Sequence, residues 1–179
     1  MKENQKIMAS GKLTSADYRR HNNYHMKKVK LFYFLAAFAL FFFVSFQSLE
    51  GPLLFSVIFT AIVSFLLAGI MVLFLIIMIN FRATREYKKN IPLQNEAVYT
   101  FRPGNIHQKT KNATNRFKWS DLMAVHEHKD MFQLYLSKQN AMIVPKWFFQ
   151  SEDDVQAFKT MVKNQSNTKQ IKLRKEKQA

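Results

Sequence analysis

Five histidines, no cysteine and only four glycines narrow the chemistry this sequence supports. His126 and His128 are two apart, so on a strand they would project to one side, the spacing of a two-ligand metal site. Beyond His107 no further ligand offers itself. His21 and His25 are four apart and would share a helix face, but Asn22, Asn23 and Tyr24 between them lack the glutamate of a zinc-peptidase motif. No metal or other cofactor is therefore expected. The absence of cysteine removes thiol nucleophiles, disulfides and thiolate-bound clusters. Asp121, Glu127 and Asp130 are scattered over strands and turns, and no glycine-rich phosphate loop or nucleophile elbow is present. No enzyme is expected.

Two tryptophans attract more interest. Trp119, Trp147 and Phe148 could line an aromatic pocket, with Lys146 as a cation at the edge of an apolar surface. Trp119, Lys146 and Trp147 are thus the candidate ligand contacts. The plainer alternative is that large aromatics form the core, since so small a domain needs the burial.

These residues must be positioned by elements of two kinds. Residues 31–46 (LFYFLAAFALFFFVSF) and 52–81 (PLLFSVIFTAIVSFLLAGIMVLFLIIMINF) carry no charge. A bilayer core of about 30 Å needs about 20 apolar helical residues, so both runs are candidate spans, assigned to residues 29–49 and 52–81. Eight Lys and Arg precede the first run and nineteen follow the second, while the loop Gln47–Gly51 has none and carries Glu50. The bias predicts a multi-pass protein of the cytoplasmic membrane with both termini in the cytoplasm. Lys27, Lys28, Lys30, Arg82, Arg85, Lys88 and Lys89 flank the spans, where they set topology and can attract anionic headgroups. Thr60, Ser64 and Ala68 recur every four residues, a small-residue face suited to close packing on Ala36, Ala37 and Ala39 or on a partner span.

After Pro92 the pattern changes to short strands: 97–102, 106–111, 116–119, 122–128, 131–136 and 141–144. Arg102-Pro-Gly-Asn105 suits a type II turn, and Lys129-Asp130 a hairpin. Phe132, Leu134 and Leu136 alternate toward a core. Ser151 caps a closing helix in which Val155, Phe158, Met161 and Val162 form an apolar stripe. The expected fold is a membrane α-helical hairpin plus a small α+β domain, an antiparallel curved sheet or partial barrel capped by that helix. Residues 1–28 read as a basic cytoplasmic arm, 92–163 as the domain and 164–179 as a basic disordered tail carrying Lys169, Lys172, Arg174, Lys175 and Lys177.

The series YTFRPGNI, FKWSDLMAVHEHKDMFQLYL and AMIVPKWFFQSEDDVQAF resembles the YcxB-like family of bacterial membrane proteins. Phe101, Gly104 to Ile106, Trp119 to Leu122, Phe132, Leu134, Tyr135, Ile143 to Lys146 and Phe158 carry the likeness. It implies a C-terminal domain similar to bacterial pleckstrin-homology (PH-like) folds and a membrane location, and no established activity. Trp147 departs from the family, which often has Arg after Pro-Lys. The expectation is a PH-like binding or scaffolding module at the membrane, partnered by the lipid bilayer through anionic headgroups and by an unspecified protein, without specific nucleic-acid binding. An accessory subunit of a membrane enzyme or transporter, packing through its spans, is the rival.

Overall fold

The computed structural model describes residues 6–48, 50–166, 168 and 170–174. They fall into two compact units, Met1–Asp17 with Tyr87–Ala179, and Tyr18–Glu86. Position 49, placed by the sequence reading at the end of the first span, and the basic residues Lys169, Lys175 and Lys177 lie outside the described residues.

The chain opens with strand β1 (Ile7–Lys12) and helix α1 (Ser15–His25). Thr14 and Asp17 start α1 reciprocally: the Thr14 hydroxyl accepts from Asp17 N at 3.1 Å, and Thr14 N donates to Asp17 Oδ2 at 3.0 Å. Two bonding groups at a helix end are thereby satisfied. Helices α2 (Lys27–Gln47) and α3 (Leu53–Lys89) follow, each long and apolar enough to cross a membrane. At 1.5 Å per residue, α3 extends about 55 Å, so it outruns an apolar core of about 30 Å. Its charged last turns continue the helix as expected, and a short 3₁₀ turn at Ile91–Gln94, with Pro92 in its first positions, ends it.

Within the hairpin unit, Thr60, Ser64 and Ala68 are fully buried on α3, and Ala37 is buried on α2. Phe34 of α2 meets Phe65 of α3 edge to face at 5.4 Å. The small-residue face is therefore occupied inside this chain, and a partner span would need another surface. Ala36 and Ala39, expected beside it, are exposed.

Strands β2 (Glu96–Arg102), β3 (Asn105–Thr110) and β4 (Thr114–Lys118) join β1 in a sheet of order β1-β2-β3-β4. Gly104 adopts φ +88 in the β2–β3 turn, the conformation a type II turn asks of its third residue. Strands β5 (Ala124–Glu127), β6 (Met131–Tyr135), β7 (Ala141–Pro145) and β8 (Ile171–Lys172) form a second sheet, ordered β7-β6-β5-β8. Thus the strands divide into two sheets, with a bridge from Ala9 to Phe149 beside the β1 edge. Helix α4 (Glu152–Gln165) starts at Ser151, whose hydroxyl accepts from Asp154 N at 3.1 Å. Its Phe158 lies 4.4 Å from the Phe101 ring, 4.9 Å from Phe132 and 5.4 Å from Phe149. That cluster is the core.

Two expectations need correction. The arm of residues 1–28 is not separate from the domain: Ile7–Lys12 pairs with β2 in register from Ile7↔Phe101 to Lys12↔Glu96. The two strands are neighbours in space although residues 13–95 separate them in sequence, so no local window reveals the pairing. Residues 164–179 are not wholly a solvated tail, because Ile171–Lys172 runs parallel to β5. The open edge of β5 supplies unpaired backbone groups for it. Phe132 and Leu134 of β6 are buried as expected, and so are its other three residues. Gln133 is satisfied there, with the Tyr135 hydroxyl donating to its Oε1 at 2.7 Å and His128 Nε2 at 3.0 Å.

Candidate functional site

Glu127, at the end of β5, is the carboxylate around which the domain's buried charge is organised. Its side chain is 2% exposed, and Lys146 Nζ lies 2.6 Å from Oε1. Lys159 of α4 stands 3.5 Å from Oε2, which also accepts from Arg174 N at 2.8 Å. Burial pushes this carboxyl's pKa up. The Lys146 hydrogen bond, the Arg174 amide and the two lysine charges outweigh that and hold it below its ordinary value. Lys159 Nζ in turn donates to Arg174 O at 3.2 Å. With Val125 N donating to Gln170 O at 3.1 Å and the Thr168 hydroxyl donating to Met123 O, the cluster fastens residues 168 and 170–174 to the β5 edge.

Lys146, read from the sequence as a ligand-contacting cation, is therefore committed to Glu127, with Nζ 5.4 Å from the Phe132 ring centroid. Trp119 is in the core at 2% exposure, beside Phe101 and Phe158, with Nε1 donating to Arg102 O at 2.9 Å. Trp147 is 53% exposed and meets Phe148 edge to face at 4.6 Å. One tryptophan thus packs the interior and the other faces outward, so the expected aromatic pocket is not assembled. The rings of His126 and His128 lie 6.4 Å apart. Among the described residues no group of three or more His, Asp or Glu is arranged to hold a metal. Lys27, Lys28, Arg82, Arg85, Lys88 and Lys89 are exposed along the ends of α2 and α3, and Lys30 is half-buried, donating to Asn23 Oδ1 at 3.1 Å.

Sequence reasoning missed a cleft of about 330 Å³ in the sheet domain. Tyr99, Gln108 and Asn115 stand opposite one another across β2, β3 and β4 and form its polar floor. Asn115 Nδ2 donates to Gln108 Oε1 at 3.4 Å, Gln108 Nε2 to the Tyr99 hydroxyl at 3.2 Å, and that hydroxyl to Ile143 O at 3.5 Å. Burial pushes the Tyr99 phenol up to about 12, so it stays neutral. Leu93, Phe117, Leu136 and Met142 add apolar walls. The only sequence signal was a polar residue at the same cross-strand position on three successive strands, which needs the register to be known.

Residues 101–162 match the model of the YcxB-like protein family, a span running from the end of β2 to α4. The chain is 27% identical over 175 residues to the uncharacterized protein YcxB of Bacillus subtilis (strain 168), with 95% of each chain covered. No solved structure matches it. The YcxB-like resemblance read from the residues is thereby shown, by the family match over the sheet domain and by a relative similar along nearly the whole chain.

Proposed function

We propose that this chain is a membrane-anchored binding or scaffolding protein, presenting a PH-like domain at the cytoplasmic face of the cell membrane. The observation that carries the reading is the exposure pattern of the hairpin: Leu54 is 73% exposed, Phe74 65% and Ile77 63%, while Thr60, Ser64 and Ala68 are at 0%. Large apolar surface of that extent on a folded protein calls for an apolar solvent or partner. The basic residues at both hairpin ends and a loop without Lys or Arg support the cytoplasmic orientation. Two four-stranded sheets with a C-terminal helix between their aromatic residues support the PH-like comparison. Such domains host unrelated functions, so the fold argues for a binding platform and not for a particular ligand. Anionic headgroups are the proposed surface for Lys27, Lys28, Arg82, Arg85, Lys88 and Lys89. No catalytic role is proposed.

Because the natural sequence has no cysteine, single-cysteine labelling tests this reading on a clean background. A membrane-impermeant maleimide should label Glu50→Cys in intact cells and Lys138→Cys only after permeabilisation. The opposite pattern would reverse the topology, and recovery of the protein in the soluble fraction would overturn the anchor.

A further inference from the structure

The uncharged cleft in the sheet domain has no role in the reading above, and its lining is chemically unusual for this chain. Lysine and arginine number 27 in the sequence, yet none of the fifteen residues bordering the cleft is charged. One side is a row of neutral hydrogen-bonding groups, Tyr99, Gln108 and Asn115, linked from β4 to β2. Leu93, Phe117, Leu136 and Met142 contribute apolar lining, and Asn95, Thr110 and Asn140 complete the neutral polar part. Phe158 of α4 fills the space between the sheets near Phe101 and Phe132, and no α4 residue borders the cleft.

The position of the rim is equally informative. Tyr87, in the last turns of α3, donates from its hydroxyl to Leu13 O at 2.7 Å, and Leu13 borders the cleft. Gln94 Nε2 donates to Tyr87 O at 3.0 Å, which draws the Pro92–Leu93 side of the rim to the same helix end. Tyr87 thus ties together the Leu13 and Pro92–Leu93 parts of the lining.

We propose that this cleft binds an uncharged single-chain amphiphile, of the monoacylglycerol or long-chain alcohol class. Its acyl chain lies along Leu93, Leu136 and Met142, and its hydroxyl or carbonyl group bonds the free valences of Gln108 and Asn115. A volume of about 330 Å³ is at the lower end of the roughly 300–1,000 Å³ of small-molecule sites, which fits one chain and not two. An anionic ligand would enter without a cation to pair it, a costly arrangement in a partly desolvated cleft. The inference rests on the membrane-anchored reading only for the source of the ligand.

The test uses full-length protein in phosphatidylcholine nanodiscs and a monoacylglycerol carrying a diazirine in its acyl chain, with labelled peptides mapped by mass spectrometry. One arm places the probe in the disc, and a second delivers it from solution on albumin. Labelling at Leu93, Leu136 or Met142 is expected, stronger than with a fatty-acid carboxylate of equal chain length. Ala141→Trp, which fills the rim, should remove most of it. Gln108→Leu should weaken binding roughly tenfold, on the order of one lost hydrogen bond. Lys109→Ala, on an exposed neighbouring position, should leave labelling unchanged. Melting of each variant, followed through buried Trp119, separates loss of the site from loss of the fold. An unlabelled cleft beside labelled 53–81 peptides would overturn the proposal and leave the anchor standing. A labelled cleft in the albumin arm with unlabelled helices would uphold the site and overturn the bilayer as the ligand's source. Equal labelling by the carboxylate probe would overturn the specificity for uncharged ligands.

Discussion

In the hairpin the best-buried side chains are Thr60, Ser64 and Ala68, whereas in the sheet domain they are Phe101, Phe132 and Phe158. Phe43, Phe65, Phe74 and Phe81 of the hairpin are each more than half exposed. The same residue type therefore packs inward in one region and outward in the other. In water, burying a large aromatic is the main source of stability, and small residues contribute little. Between helices in an apolar solvent that driving force vanishes, and close approach of backbones through small residues takes its place. Phenylalanine thus serves the core in one region and lies on the surface at many positions of the other.

The comparison is sharpest at Phe158 and Phe74. Phe158→Ala should destabilise the sheet domain by about 3–5 kcal/mol, the range for a buried aromatic, measured by denaturant unfolding followed through Trp119. Phe74→Ala in the hairpin should leave that transition unmoved. Equal effects would break the distinction.

Glu127→Gln should cost the domain about 2 kcal/mol, less than the ~3–5 kcal/mol of a fully buried pair because Lys146 keeps some solvent. The same carboxyl gives a signed pH dependence. Its folded-state pKa lies below the unfolded one, so its contribution is complete above the ordinary carboxylate range and is lost as pH falls through the depressed value. Unfolding midpoints between about pH 7 and pH 3 should therefore decline less steeply in Glu127→Gln than in the parent. Identical slopes would remove Glu127 from the account.

Smaller effects test packing in each region separately. Ala68→Leu should force α2 and α3 apart at about 1–3 kcal/mol, the usual cost of overpacking, read as loss of crosslinking between cysteines placed on the two helices. Gly11→Ala should cost the sheet domain a similar amount, about 1–3 kcal/mol. A Cβ there would stand 2.5 Å from the ring of buried Phe148. Ser151→Ala should cost about 1 kcal/mol through the lost cap. A null result for Ser151→Ala, seen in the same unfolding assay, would show that the buried side chains of α4 hold it without the cap.

Local signals made much of this molecule readable in advance. Uncharged runs marked α2 and α3, Pro-Gly marked the β2–β3 turn, and Ser151 with its apolar stripe marked α4, because each depends on neighbours within a few residues. The candidate ligand residues were not readable in the same way. Nothing near Trp119 or Trp147 in sequence tells which one meets Phe101 and Phe158. Lys146 looked like a free cation because its counter-charge, Glu127, is nineteen residues away.

The sequence by itself determined where the apolar helices run, which ends of them carry positive charge, and where six of the strands and the last helix lie. Those properties are set by composition and by periodicities of two and 3.6 residues, which are local. Tertiary structure alone decided that Ile7–Lys12 completes the first sheet, that Ile171–Lys172 extends the second, and that Glu127 gathers Lys146, Lys159 and Arg174 N. It also decided that Tyr99, Gln108 and Asn115 fall in one row beneath an uncharged cleft. Each of these depends on the register between paired segments, and register is fixed only when whole faces are buried together.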